Sequence, residues 1–171
     1  MYLKMIKTLN SLFVTMFGLG KIKFIPGTLG SLATTIILYY SFHLLNISPN
    51  TILIVLMIIF VYSFYAVSIY IENSKNKDPS EIIIDEFLGQ SIPIYLYEIS
   101  HVTPKDNGDA IVYYFLFFIL FRYFDIIKPF PVSFFDKNFK NSFGIIMDDI
   151  CAGFYVVLTL VCLMFIKSYV L

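Results

Sequence analysis

Residues 51–71 read TILIVLMIIFVYSFYAVSIYI, 21 consecutive positions from Thr51 to Ile71 without one charged side chain. A helix needs roughly 20 apolar residues to cross the hydrocarbon core of a bilayer. In lipid a helix is the default, because an open strand edge would leave backbone groups without partners. Working outward, Ser31–Ile47, Ala110–Phe121 and Ile150–Ile166 are also uncharged. The chain is 58% hydrophobic and only 14% charged, where a soluble domain carries about a quarter of its residues as charge. These features predict an all-α integral membrane multi-helix bundle, one domain over residues 1–171. About five apolar helices are expected near 30–47, 51–71, 81–98, 109–127 and 150–170. At the N-terminus, Met5, Ile6, Leu9, Leu12, Phe13, Met16 and Phe17 recur at helical spacing opposite Lys4, Lys7 and Asn10. That pattern predicts an amphipathic helix, lying on the membrane or packed under the bundle.

Net charge is zero, and nothing points to a nucleic-acid partner. The first 17 residues lack the apolar core and cleavage site of a signal peptide. Cys151 and Cys162 form no CxxC or Cys/His cluster and read as small core hydrophobes.

The five spans sort the loops onto two sides. Ten of the twelve basic residues fall on one: Lys4, Lys7, Lys21, Lys23, Lys75, Lys77, Arg122, Lys128, Lys137 and Lys140. The positive-inside bias makes that side cytoplasmic. Nine carboxylates gather there too, against Glu98, Asp106 and Asp109 on the other side. Asp78-Pro79-Ser80-Glu81 reads as a helix start, with Asp78 as N-cap; Asp85 and Glu86 then lie in the second turn. Arg122 and Asp125, three apart, share a face, and the last span begins just after Asp148-Asp149.

A carboxylate in a membrane helix is costly, so it faces a partner or a wet cavity. Asp85, Glu86, Asp125, Asp148 and Asp149 converge with only Arg122 and Lys128 to balance them, an excess that a divalent cation would relieve. The histidines, His43 and His101, are distant in this topology, and ligation by oxygen alone favours Mg²⁺ or Mn²⁺ over zinc. The competing reading is a set of inter-helix salt bridges and solvated interfacial charges. Ile25-Pro26-Gly27-Thr28 fits a type II turn leading into a helix whose N-terminal amides could hold a phosphate; an ordinary helix-start turn is the alternative. Lys128, held at the membrane surface by Pro129 and Pro131, meets a lipid phosphate or simply snorkels. Asp136 is a ligand or, by preference, a solvated side chain.

Four segments in order carry a family resemblance: Pro26-Gly27-Thr28-Leu29-Gly30-Ser31; Asp78-Pro79-Ser80-Glu81-Ile82-Ile83-Ile84-Asp85-Glu86; Phe121-Arg122-Tyr123-Phe124-Asp125-Ile126-Ile127-Lys128-Pro129-Phe130-Pro131; and Gly144-Ile145-Ile146-Met147-Asp148-Asp149-Ile150-Cys151-Ala152-Gly153. Together they resemble the phosphatidylglycerophosphatase A family. Ser142-Phe143 and Ile25 depart from it where smaller residues are expected. The resemblance implies an enzyme of the bacterial inner membrane that uses Mg²⁺ to remove the terminal phosphate of phosphatidylglycerophosphate, giving phosphatidylglycerol on the cytoplasmic side. It also implies a central helix wrapped by others. On that reading Asp85, Glu86, Asp125 and Asp149 are catalytic and, with Asp148, hold the metal. Gly27, Thr28, Arg122 and Lys128 bind the lipid substrate, and a carboxylate orients the attacking water. A covalent aspartyl-phosphate stays open. One rival is a CDP-alcohol phosphatidyltransferase, but Asp148-Asp149-Ile150-Cys151-Ala152-Gly153 lacks the Gly and Arg of D-x-x-D-G-x-x-A-R. The other is an ion transporter, which would need acids at mid-membrane instead of at one end.

Overall fold

The computed structural model describes residues 2–72, 74, 79–100 and 107–170. Among them are seven α-helices and no strand: α1 (Tyr2–Val14), α2 (Pro26–Tyr39), α3 (Pro49–Glu72), α4 (Ile84–Ser100), α5 (Asn107–Ile127), α6 (Val132–Asn138) and α7 (Ser142–Val170). Helices α2, α3, α4, α5 and α7 answer to the five apolar segments, α1 to the amphipathic one, and α6 is a short addition. Pro26 and Pro49 each open a helix, where a missing N–H is harmless because the first turn has no intrahelical acceptor to serve. A five-residue π-helical turn, Tyr40–Leu44, extends α2.

All of α3, Gly108–Ile127 of α5 and Ser142–Ile166 of α7 are long and apolar enough to cross a membrane. Their outer faces expose Ile58, Val61, Val112, Phe115, Leu158 and Met164, a surface suited to lipid and unsuited to water. Helix α4 differs. It lies at the centre, packed on α2, α3, α5 and α7, with Ile84, Asp85, Phe87–Ser91, Pro93 and Ile94 buried. Enclosure by protein is what lets a 17-residue helix with Gln90 and Pro93 pass through the middle. Two apolar clusters fill the space around it. One, towards the N-terminal end of α4, contains Val14, Ala66, Val67, Phe87 and Ile146. The other contains Leu38, Ile94, Tyr114, Phe117 and Val156.

Where α4 crosses α7 the backbones nearly touch. A Cβ on Gly89 would lie 2.4 Å from the Asp149 carbonyl oxygen, and one on Gly153 would lie 2.3 Å from the Gly89 carbonyl oxygen. Between helices in lipid, such close approach replaces the hydrophobic drive available in water.

The expected boundaries shift in two places. Helix α4 begins at Ile84, with a turn at Ser80–Glu81 before it, so Asp85 and Glu86 occupy its first turn instead of the second. The Ile83 N–H donating to the Val14 carbonyl, 3.1 Å, ties this entry to the end of α1. Asp78, the expected N-cap, lies outside the described residues, as do His101, Lys75, Lys77, Lys105 and Asp106. Helix α7 begins at Ser142, where Asn141 Oδ1 accepts the Gly144 N–H at 3.1 Å; Asp148 and Asp149 therefore sit inside it, not before it. Helix α1 packs on α3: Asn10 and Val14 are buried, Tyr62 Oη donates to Asn10 Oδ1, and Phe13 meets Tyr62 edge-on at 4.8 Å. Its other face, Met5, Leu9 and Leu12, is exposed. Cys151 is half-buried, but Cys162 is exposed on the outer face of α7, so its assignment to the core is corrected.

The end of the bundle reached by the π-helical turn holds a part-buried polar knot. His43 Nε2–H donates to Glu98 Oε1 at 3.2 Å, Tyr114 Oη donates to the same oxygen at 3.1 Å, and Tyr39 stacks on the His43 ring. This ties α2, α4 and α5 together. Replacing Glu98 by alanine orphans both donors and should cost about 2 kcal/mol, read as a lower melting temperature in detergent. An unchanged melting temperature would show the knot to be idle.

Candidate active site

The other end of the bundle holds the predicted carboxylates. Asp85 and Glu86 stand in the first turn of α4, where the helix dipole favours negative charge. Asp149 is brought to them by the α4–α7 crossing. Gly89 follows Asp85 by one turn and Gly153 follows Asp149 by one turn, and the close crossing at these glycines lets α7 carry Asp149 up to α4. One ligand oxygen each from Asp85, Glu86 and Asp149 lies within 4.8 Å of the others. Asp85 and Asp149 are buried and Glu86 is half-buried. Glu86 Oε2 and Asp149 Oδ1 are buried without any hydrogen-bond partner. Three ionised carboxylates packed this closely would repel one another. The set is all-oxygen and largely buried, which fits a hard divalent cation such as Mg²⁺.

The other two expected ligands are brought to the same cavity but are already paired. Asp125 Oδ2 receives Arg122 Nη1 at 2.8 Å, the i,i+3 pair expected on α5. Asp148 Oδ1 accepts the Asp149 N–H at 2.9 Å, and its Oδ2 meets Lys128 Nζ at 3.0 Å. Lys128 Nζ also meets Asp136 Oδ1 on α6 at 2.9 Å, with Lys140 Nζ farther off at 3.9 Å. Asp136 is thus an ion-pair partner and not the freely solvated side chain expected. Burial works against the charge on Lys128, but Asp148 and Asp136 outweigh it and hold its pKa above the ordinary lysine value. Burial likewise opposes ionisation of Asp136, and Lys128, helped by Lys140 and Lys137, still holds its carboxyl below the usual range.

Arg122 is gripped from two sides, since its Nη1 also donates to Ser31 Oγ at 3.3 Å. Ser31 is fully buried and donates in turn to the Gly27 carbonyl at 2.8 Å. Arg122 Nε is buried without a partner. The expected type II turn at 25–28 is not formed: Pro26 is the first residue of α2, and Ile25 before it is left-handed. Gly27 is therefore helical, and its missing side chain matters for space. A Cβ there would lie 2.3 Å from Glu86 Oε1 and 3.2 Å from Arg122 Nη1. Thr28 lines the same cavity, half-buried.

These groups surround one open cavity of about 330 Å³, lined by Gly27, Thr28, Asp85, Glu86, Arg122, Asp125, Lys128, Asp148 and Asp149 together with Pro79, Ser80 and Ile145, among others. Every site residue read from the sequence reaches it. Two further residues shape the site without standing out in sequence: Ser31, which holds Arg122, and Gly89, which seats Asp149. Asp85-x-x-x-Gly89 and Asp149-x-x-x-Gly153 carried a signal for the latter: small residues one turn beyond an acid on two helices that must cross. The arrangement can bind a cation beside an arginine fork, which suits a phosphate group.

The chain matches the family model described as Phosphatidylglycerophosphatase A over residues 12–164. It is 35% identical over 158 residues to a phosphatidylglycerophosphatase A of Haemophilus influenzae, covering 91% of this chain and 90% of that protein. It is 30% identical over 142 residues to a phosphatidylglycerophosphatase A of Escherichia coli K12, covering 80% and 73%. A Bacteroides thetaiotaomicron protein provisionally described as a phosphatidylinositol-3-phosphatase is 35% identical over 145 residues, covering 82% and 84%. No solved structure matches it.

Proposed function

Because the chain belongs to the phosphatidylglycerophosphatase A family, we propose that it removes the terminal phosphate of phosphatidylglycerophosphate, with Mg²⁺, at the cytoplasmic face of a bacterial inner membrane. It is a membrane-embedded phosphoric monoester hydrolase. The observation that carries the finer reading is the trio Asp85, Glu86 and Asp149, with two buried oxygens lacking partners, in one cavity with Arg122. The skew of basic residues towards the same end supports the cytoplasmic leaflet.

In this mechanism Asp85, Glu86 and Asp149 hold the metal. When bound, a divalent cation supplies the positive charge that polarises the phosphoryl group. Arg122 grips the phosphate by its fork, with Asp125 and Ser31 fixing the plane of the guanidinium. Lys128 spends two of its three N–H donors on Asp136 and Asp148, which leaves one for a substrate oxygen. A carboxylate of the trio takes the proton of the attacking water. The burial of the trio keeps bulk water from screening these charges.

The relatives' names offer two lipid phosphates, so the test is a comparison. Purified protein in detergent should release phosphate from phosphatidylglycerophosphate at least about tenfold faster, by kcat/KM, than from phosphatidylinositol 3-phosphate. Release from the inositol lipid alone would overturn the substrate assignment.

A further inference from the structure

The rim of the cavity has two chemically different sides. Of the residues that line it, three are exposed: Ile25, Ser80 and Ile126. Ser80 stands on the turn before α4, and the two isoleucines stand at the start of α2 and the end of α5. Ile126 is 71% exposed and Ile25 50%. Ile25 is also strained, with φ 46° and ψ 55°. A β-branched residue in that left-handed region is a true outlier, costlier than the Gly or Asn that usually stands there. The chain thus keeps an apolar, strained side chain at the mouth of a charged cavity.

Each isoleucine heads an apolar lane. On α5, Ile119, Tyr123 and Ile126 follow one another at i, i+4, i+7, all exposed, and so share one face of a helix long enough to span. On α2, Leu32 and Ile36 are one turn apart and also exposed, and Ile25 stands just before that helix. Both lanes lie on the exposed apolar surface of the bundle, and α2 packs against α5. A headgroup could reach the carboxylates from the Ser80 side, but acyl chains could not cross that polar rim without losing their apolar surroundings.

Building on the phosphatase reading, we infer that Ile25 and Ile126 form an apolar sill over which the lipid substrate enters sideways from the bilayer, its acylated glycerol resting on them while the terminal phosphate meets Arg122 and the carboxylate trio. The sill selects phosphate esters borne on membrane lipid over water-soluble phosphate esters of the same headgroup.

The test compares long-chain phosphatidylglycerophosphate in vesicles with its fully deacylated, water-soluble counterpart, using wild type, Ile25→Asn and Ile126→Gln. Asparagine tolerates the left-handed conformation, so Ile25→Asn should keep or raise the melting temperature. For both variants kcat/KM on the long-chain lipid should fall about tenfold relative to the deacylated ester, mainly through KM. An equal fall on both substrates, or no fall on either, would overturn the sill. A second readout does not depend on turnover. The chain has no tryptophan, so Ile126→Trp and Ser80→Trp each give a single fluorophore. Vesicles of phosphatidylglycerol with brominated acyl chains should quench position 126 and spare position 80. Equal quenching, or none at 126, overturns the sill. If wild type hydrolyses neither ester, the phosphatase reading falls, and the quenching pair still decides whether the mouth faces acyl chains.

Discussion

Asp85→Asn and Asp149→Asn should each lower kcat by about 10³-fold or more while the protein stays folded. Both residues are buried, and each contributes a ligand oxygen to the group within 4.8 Å. Asparagine keeps the volume, so no cavity opens in a packed region. It removes one negative charge from a crowded set, so in EDTA the melting temperature should hold or rise. The same change at Asp136 is the control. That carboxylate lies on the far side of Lys128, with Nζ at 2.9 Å, and Asp136→Asn should stay within about threefold of wild type. Near-normal rates for Asp149→Asn would remove it from the site, whereas equal losses in all three variants would point to a general electrostatic effect.

Gly27→Ala should separate function from folding. Its Cβ would fall 2.3 Å from Glu86 Oε1, too close to stand, but the atom that must yield is the end of a flexible side chain. The backbone can stay in place, and alanine in a helix is favoured over glycine by about 1 kcal/mol. Stability should therefore be kept or improved. Displacing the Glu86 carboxylate by about an ångström should nonetheless cost on the order of 10²-fold in kcat. Reading kcat and melting temperature on the same preparation checks both halves. A wild-type rate would mean that Glu86 need not sit where it does.

The membrane helices were legible because apolar length is a one-dimensional signal: residues 51–71 needed no partner to be read, and α3 contains them. The end of the bundle that carries the chemistry was legible from charge for the same reason. What stayed hidden depends on distances between segments. The Arg122–Asp125 pair was legible from its i,i+3 spacing; only the fold brings Lys128 to Asp148 and gathers Asp85, Glu86 and Asp149 into one group. Asp136 looked solvated because its partner, Lys128, lies eight residues back across a double-proline turn. Gly27 suggested a turn because Pro-Gly usually is one; its helical conformation and its contact with Glu86 are tertiary facts. Helix α7 starts well before Asp148-Asp149, which reads as a polar boundary in sequence, because burial against α4 allows two acids within a helix.

The central claim is that the trio works as a divalent-cation site on a lipid phosphate. Its most direct measurement is phosphate release from phosphatidylglycerophosphate by purified protein in Mg²⁺, then after EDTA, then after Mg²⁺ is restored. The account predicts release in the first, loss to background in the second and recovery in the third. Steady release through the EDTA step, or no release in Mg²⁺ at all, would contradict it.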